Sequence, residues 1–448
     1  MNVSIPVQKE YTCDVLVVGG GVAGISAAVT AARQGASVIL CEAGGVLGGT
    51  ATQGLVGPFM TSYDKAGQTQ IIRGFFSEFV QRMVEEGGAV PPADCPGSDS
   101  YSGYRKVGHI GVAPFDPEVF KRVAEDFCAE ASVKLLYHSR LVSCSTQDSV
   151  IQKAYFATVA GLEAVAAKVF IDTTGSATLA ANAGAQVVRG DENGMVQTAS
   201  LFFRITGVDK ERLDLYMAEH KEMRKRFFMD EIARGQQTGE FPCGTPKLRI
   251  YEGPRGIWTV NMAQEDGQVN ELNAEALTAA EISQRKKIPM IVEFLKKTVP
   301  ALENIQLLVS ASDLGVRESR RMVGKSVLTR DDVLSSNYYD ERIAVCANSM
   351  DYHLANSVDY VAHTNEKNYY IPLSCLISNN IKNLLGAGKS MSADKYAFAA
   401  VRVMPPCFAM GQAAGVTAAL AARGGCDVAE VPVGDVQREI LRGGGYLE

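Results

Sequence analysis

The chain has 448 residues and a mass of 48.0 kDa, with 46% hydrophobic and 21% charged residues, which supports a packed core and excludes a disordered or collagen-like chain. A net charge of −6 and a pI of about 5.6 argue against wholesale attraction to nucleic acid or an anionic membrane. Glycine is the one excess, 43 residues where an average chain of this length would hold about 30.

The glycines fall in clusters. Residues 15–18 are an apolar run suited to a buried parallel strand. Gly19, Gly21 and Gly24 follow as G-x-G-x-x-G, then a small-residue helix over 22–34 that closes at Gly35. Residues 37–41 form a second strand, and Glu42 stands at its end, 18 residues past Gly24. Gly19 permits the tight turn, Gly21 lets backbone approach a pyrophosphate, and Gly24 lets helix and strand pack closely. The Glu42 carboxylate is placed to accept hydrogen bonds from ribose hydroxyls. The apolar stretch 15–32 is broken by these glycines, and Lys9, Glu10 and Asp14 precede it. It therefore does not read as a signal peptide or a membrane span, and a cytoplasmic protein is expected.

Gly44, Gly45, Gly48, Gly49 and Thr50 come next. A bare turn does not need so many glycines; an extended dinucleotide lying along the loop does, which favours FAD over NAD. Residues 168–172 form another strand, with Gly175 in its turn and a short helix over 176–183. Near the C-terminus, 383–385 end a strand and Gly386 and Gly388 open a tight loop. Pro405 and Pro406 then sit in the first turn of a helix over 407–423, closed by Gly424 and Gly425. The positive end of that helix would face the N1/O2 edge of a flavin.

These residues resemble the FAD-dependent oxidoreductase family, in which an N-terminal dinucleotide unit is completed by a C-terminal GAG…RVMP…GQAAG segment. The wider group is that of glutathione reductase and the fumarate reductase flavoprotein subunit. The likeness is carried by GGTAT at 48–52, FDPEVFK at 115–121, IDTTGSATLA at 171–180, LGVRESRR at 314–321, YYIPLSCLI at 369–377 and GAGKS at 386–390, and continues through Arg402 to Pro405 and Gly411 to Gly415. It implies an α/β fold: a Rossmann-like FAD-binding domain of the glutathione-reductase type, with an inserted α+β substrate (cap) domain. Residues 1–190 plus 340–448 are expected to form the FAD domain and 191–339 the substrate domain. Within the latter, a strand over 198–205, a charged helix over 213–232 and a long helix over 274–297, kinked at Pro289, are expected. The resemblance also implies FAD contacts at Gly19, Gly21, Gly24, Glu42, Gly48, Gly49 and Thr50, and at Val142 through a backbone contact to adenine. Gly175, Gly388, Lys389, Arg402, Gly411, Gln412 and Ala413 complete the pocket it implies. Met404 and Gln412 are favoured as flavin contacts. The chain departs from the family pattern at Ser176, where Asp is frequent, and at Lys389 and Asp394, where Arg and His are frequent.

Several absences narrow the chemistry. The sequence holds no second G-x-G-x-x-G for a nicotinamide domain. Its ten cysteines are never closer than 16 residues, and its five histidines lack metal-ligand spacing, so no metal is expected. No histidine lies in 44–60 and Cys41 falls at the adenosine end, so FAD is expected to be non-covalent. The expected reaction is hydride exchange between flavin N5 and a small organic substrate, as a dehydrogenase, an oxidase or an alkene reductase. The alternative is a non-catalytic or electron-relay subunit serving a redox partner. Arg317 and Arg320 are candidates to bind an anion or carbonyl, or else to brace the two domains through an Arg–Glu network. Tyr370, beside Tyr369, could donate a phenolic proton or simply fill the core. His353 and His363 are candidate bases by residue type alone.

Overall fold

The computed structural model describes residues 4–95, 110–220, 222, 226–265, 267–353 and 367–448. Its largest sheet takes, in chain order, β1 (Val7–Val18), β2 (Val38–Cys41), β3 (Lys134–Leu136), β4 (Arg140–Gln147), β5 (Val150–Thr158) and β6 (Gly161–Asp172), together with the late strand Leu384–Gly386. β1 alternates or lies exposed through its first half and is buried without interruption from Val15 to Val18, as a strand covered on both faces requires. It pairs in parallel with β2 and with β6; β3 extends the sheet beyond β2 and Leu384–Gly386 extends it beyond β6. β4, β5 and the first half of β6 form an antiparallel meander on the same sheet. The result is a mixed α/β sheet in which Val18 is in register with Cys41 and Asp172, and Asp172 with Gly386. Four carboxyl ends thus reach one line, where ligands of such sheets bind.

Helix α1 (Val22–Arg33) leaves β1 at Gly21 and packs against the long helix Met404–Gly424. The two backbones nearly touch. A Cβ on Gly411 would stand 2.2 Å from the Ala23 carbonyl oxygen, and one on Gly415 2.3 Å from that of Ala27. This is the physical reason for the small residues in both helices. Beneath them, Phe59 stacks on Phe115 at 4.3 Å, and Phe75, Phe76, Phe79 and Phe408 close around Phe59 and Phe120. The FDPEVFK segment serves this core: Asp116 accepts from Glu118 N at 2.9 Å and caps the helix Pro117–Glu130.

A second hydrophobic core lies between residues 199 and 314. Its antiparallel sheet runs Gln306–Ser310, Ser200–Thr206, Trp258–Gln264, Ile250–Glu252, and Phe203, Trp258, Ile291 and Leu295 lie at its centre. Among the described residues the charged helix expected over 213–232 is not continuous: Lys210–Glu219 and Met229–Thr238 are separate helices. They are interrupted where Phe227 and Phe228 take positive φ of 49° and 58° and Phe228 turns inward at 1% exposure; burying that ring outweighs helix continuity. The helix Ala274–Thr298 runs on through Pro289, which lies on its exposed face.

The two parts interlock in sequence as well as in space. Leu55, early in the chain, belongs to the second core. The strand Arg320–Met322, which the sequence assigns to the inserted segment, pairs antiparallel with Val187–Arg189 on the other side of the expected boundary. Among the described residues, no single helix is long and apolar enough to cross a membrane.

Candidate active site

The first glycine cluster forms a cradle at the end of β1. Gly19 has φ of +105° and its Cβ would meet the Thr173 carbonyl at 2.6 Å, while Thr173 Oγ1 donates to the carbonyls of Val18 and Gly19 at 2.9 and 2.7 Å. A Cβ on Gly24 would lie 1.9 Å from Gly19 O, whereas one on Gly21 would meet nothing within 4 Å. The first residue thus makes the turn, the third packs, and the second faces open space at the start of α1. Glu42 ties the two glycine loops together, accepting from Gly20 N through Oε2 and from Gly44 N through Oε1, both at 2.7 Å. Each oxygen keeps a lone pair for a ribose hydroxyl. Gly48 donates its N–H to Gly20 O at 2.8 Å, and Gly48 and Gly49 both have positive φ. Thr50 lies in the same short turn, half-buried. On β4 the register slips between Leu141 and Ser143, which leaves Val142 on a bulge at 47% exposure.

Asp172, at the end of β6 and fully buried, organises the next loops. It accepts from Thr174 N and Oγ1, from Ser390 Oγ and from Ala180 N at 2.8–3.1 Å. Gly175 has positive φ and faces the Lys389 side chain. Gly388, also at positive φ, comes within 2.9 Å (as a Cβ) of Ala23 in the first turn of α1. Neither α1 nor Met404–Gly424 has its first turn capped by a side chain among the described residues. The start of α1 with its free backbone N–H groups, the uncapped start of Met404–Gly424, where Met404 but neither Pro405 nor Pro406 carries an N–H, and the glycine-lined approaches suit an extended, anionic dinucleotide, so these residues fit FAD.

A cluster of buried cations lies next to the start of Met404–Gly424. Arg317 is 8% exposed and Arg249 6%. Arg402, the residue before the helix N-cap, donates Nη2 to the Asp351 carbonyl at 2.9 Å and lies 3.6 Å from Asp351 Oδ2. Arg317 Nη1 donates to Thr198 O at 2.6 Å, and Lys389 Nζ to Val316 O at 2.7 Å. Burial, with Arg402 and Arg249 adding like-charge repulsion, pushes the Arg317 guanidinium down to about 9, and burial beside Arg402 pushes Lys389 down to about 8. Both stay protonated at neutral pH. His353 Nε2 faces Asp351 Oδ2 at 2.8 Å, while its Nδ1 is buried without a partner among the described residues. Burial opposes ionisation of Asp351, but His353, Arg402 and Arg249 outweigh it and hold the carboxyl well below its usual range. Burial pushes His353 down to about 4, the pull of Asp351 being insufficient to offset it and the nearby Arg317. The imidazole is therefore neutral at pH 7, with its proton on Nε2 toward Asp351 and a lone pair on Nδ1.

A histidine whose folded pKa lies below its ordinary 6.5 leaves stability complete above that value, and stability falls as the pH drops towards 4, because the unfolded chain takes up the proton first. The lowered Asp351 acts in the same direction at still lower pH. Urea unfolding measured at pH 7, 6, 5 and 4.5 should show this decline, and His353→Gln should flatten its upper part.

The remaining sequence candidates separate. Arg320 donates Nε to Ser176 O at 3.0 Å. The bracing network belongs to Arg321, whose guanidinium pairs with Glu318 and donates to Ala393 O and Gly190 O. Tyr370 lies against Tyr338 with ring centres 5.3 Å apart, a contact with the edge of the core and not with His353. Gly411, Gln412 and Ala413 lie two turns into their helix, about 10 Å from its start at a rise of 1.5 Å per residue. There Gly411 packs on α1, Ala413 is fully buried, and Gln412 Oε1 accepts from Phe75 N at 3.2 Å. All three are thus engaged in helix packing. Met404 is the first residue of the helix and is 6% exposed. Asp394 caps the helix Lys395–Val401, accepting from Tyr396 N and Ala397 N. His363 lies outside the described residues. Arg249 and Asp351 were not anticipated: Arg249 falls in a turn-rich stretch without a motif, and no local signal marks either. Burial pushes the thiols of Cys41 and Cys407 up, Cys407 to about 12, so neither is a thiolate. No group of three or more metal-ligating side chains occurs among the described residues.

No curated protein matches the chain. Solved structures that resemble it include p-nitrophenol 4-monooxygenase from Pseudomonas putida DLL-E4, with 11% identity over 96% of this chain and 84% of that one and a TM-score of 0.48. They also include L-proline dehydrogenase from P. horikoshii, with 13% identity, 98% and 100% coverage and a TM-score of 0.44. A geranylgeranyl bacteriochlorophyll reductase-like protein from Thermoplasma acidophilum has 12% identity, 97% and 83% coverage and a TM-score of 0.45. The family model for FAD dependent oxidoreductase matches residues 14–440, nearly the whole of this chain with its glycine cradle. The chain therefore belongs to the FAD dependent oxidoreductase family, enzymes with FAD as cofactor.

Proposed function

We propose that this enzyme exchanges a hydride between flavin N5 and a small organic substrate held by the cationic cluster. In this reading residues 1–190 and 340–448 form a glutathione-reductase-type FAD domain, and 191–339 form a cap that closes over the flavin. Bound FAD, held without a covalent link, supplies the two-electron chemistry. Gly19, Gly21, Gly24, Glu42, Gly48, Gly49, Thr50, Val142, Gly175 and Gly388 hold the dinucleotide, and Lys389, Arg402 and Met404 border its flavin end. Arg317, with Arg249 and Arg402, orients the substrate. His353 accepts or returns a proton at Nδ1, and Asp351 keeps the imidazole in the required tautomer.

The observation that carries this reading is the assembly of the cluster from both parts of the chain: Arg249 and Arg317 from the inserted segment, Asp351, His353 and Arg402 from the C-terminal one. A cluster built across two units suits a substrate site. Anaerobic photoreduction followed by a panel of small metabolites tests it. Flavin absorbance should change with one substrate class, with turnover when an artificial acceptor is added. Reoxidation only by a protein partner, with no small molecule active, would instead mark an electron-relay subunit. Acid precipitation should leave a colourless pellet and yellow supernatant.

A further inference from the structure

The cluster has a definite inventory of charge and of unmet hydrogen bonds. Arg249, Arg317 and Arg402 share one neighbourhood, and the carboxylates that bear on it are Asp351 and, at Arg402, Glu318. Glu318 is paired with Arg321. Among the described residues, three guanidiniums and the protonated Lys389 beside Arg402 face the one remaining carboxylate, an excess of three positive charges, and His353 is neutral. Uncompensated buried charge is costly unless it is paired, so this excess favours an anionic ligand. Among the described residues the unpartnered donors of the cluster are Arg249 Nη2, Arg402 Nε and Gln197 Nε2; the unpartnered acceptors are His353 Nδ1 and, from the strand beside Arg249 and Thr198, Asn261 Oδ1 and Gln264 Oε1. Gln197 belongs here because its Oε1 accepts from His353 N at 3.3 Å, and it is 3% exposed.

The ligand that completes this inventory has an anionic, acceptor-rich end for the guanidinium forks and the Gln197 amide. Close to that end it has a donor for Nδ1. His353 Nε2 and Arg402 Nη2 approach the same Asp351 oxygen at 2.8 and 3.6 Å, so the imidazole and one guanidinium lie side by side at a single carboxylate. The donor must also be uncharged, since an ammonium group would add to an existing positive excess. We infer that the cluster receives a 2-hydroxycarboxylate, its carboxylate between Arg249, Arg317 and Arg402 and its hydroxyl on His353 Nδ1. This assignment rests on the proposed placing of the substrate at the cluster and adds its chemical class.

The test is equilibrium binding to the FAD-loaded protein under anaerobic conditions, by calorimetry and by perturbation of the flavin spectrum, with glycolate and D- and L-lactate as probes. Acetate, glycine, propane-1,2-diol and inorganic phosphate are the comparisons. A hydroxycarboxylate should bind about tenfold or more tightly than acetate and glycine, the worth of one hydrogen bond in a buried charged site, and the diol should not bind. Arg249→Gln should weaken every carboxylate by about tenfold or more, with Arg249→Lys recovering part of the loss. FAD content, from the ratio of flavin to protein absorbance, shows that each variant is folded. His353→Gln should bring glycolate and acetate to similar affinity while both still bind. Equal binding of glycine and glycolate, a preference for phosphate, or no binding by any probe would each overturn the assignment. So would probes that bind only FAD-free protein and are displaced by FAD, because the cations would then serve the cofactor. Tight binding of glycolate without bleaching of the flavin keeps this ligand class and removes the hydride reading, so the two fail separately.

Discussion

Gly24→Ala should strongly destabilise the fold and with it FAD binding, while Gly21→Ala should leave the fold intact and lose the cofactor. The two glycines sit three residues apart in one motif and meet different surroundings. A methyl group at position 24 would stand 1.9 Å from the Gly19 carbonyl and 2.8 Å from Thr173 Oγ1. Gly19 is itself held in a positive-φ turn by Thr173, so neither side can yield without opening the strand–helix junction. The expected cost is about 3 kcal/mol or more, at or beyond the upper end for overpacked sites. At position 21 a methyl group meets no protein atom within 4 Å and φ is an ordinary −67°. Stability of the FAD-free protein should then change by less than about 0.5 kcal/mol. FAD affinity should fall about a hundredfold, because the methyl group occupies the approach to the pyrophosphate. Urea unfolding of FAD-free protein and FAD titration by fluorescence separate the effects. Equal loss of stability in both variants would show that Gly21 is a packing residue.

Glu318→Ala should destabilise the protein by about 3–5 kcal/mol, the usual cost of leaving one member of a buried ion pair unpaired. Glu318 is fully buried and Arg321 is 2% exposed. The pair joins segments far apart in the chain, since Glu318 Oε2 accepts from Gln197 N and Arg321 donates to Gly190 O and Ala393 O. Replacing both members, Glu318→Leu with Arg321→Met, should recover only part of the loss, because those two carbonyls would still lack their donor. Thermal unfolding of the three proteins provides the comparison. A single variant within about 1 kcal/mol of wild type would show that water enters and repairs the pair. The cationic cluster neighbours this brace through Arg317 and Arg402, so Glu318→Ala should also weaken whatever the cluster holds.

The dinucleotide half was largely legible because its signals are local. Strand, turn, helix and acid follow one another over 28 residues from Val15 to Glu42, and each glycine answers to a backbone geometry that only glycine adopts or fits. The same logic reached the loop at Gly48 and Gly49 and the proline-led start of Met404–Gly424. It did not anticipate the packing of Gly411 and Gln412. A GQAAG string reads the same whether it faces a ligand or another helix, and the contact of Gly411 with Ala23 joins residues nearly four hundred positions apart. Arg317 and Arg320 illustrate the limit from another side. They are equivalent by composition and lie three residues apart, yet one enters the buried cluster and the other bonds Ser176.

The amino-acid sequence alone thus determined the α/β class, FAD as the cofactor and the glycine turn after β1, because those features depend on backbone conformation within a few consecutive residues. Tertiary structure decided the rest: that Arg249, Arg317 and Arg402 converge with Asp351 on a neutral His353, that Arg321 and not Arg317 is the brace, and that Gln412 belongs to packing. Charge compensation and burial are sums over every neighbour in space, and no spacing along the chain encodes them.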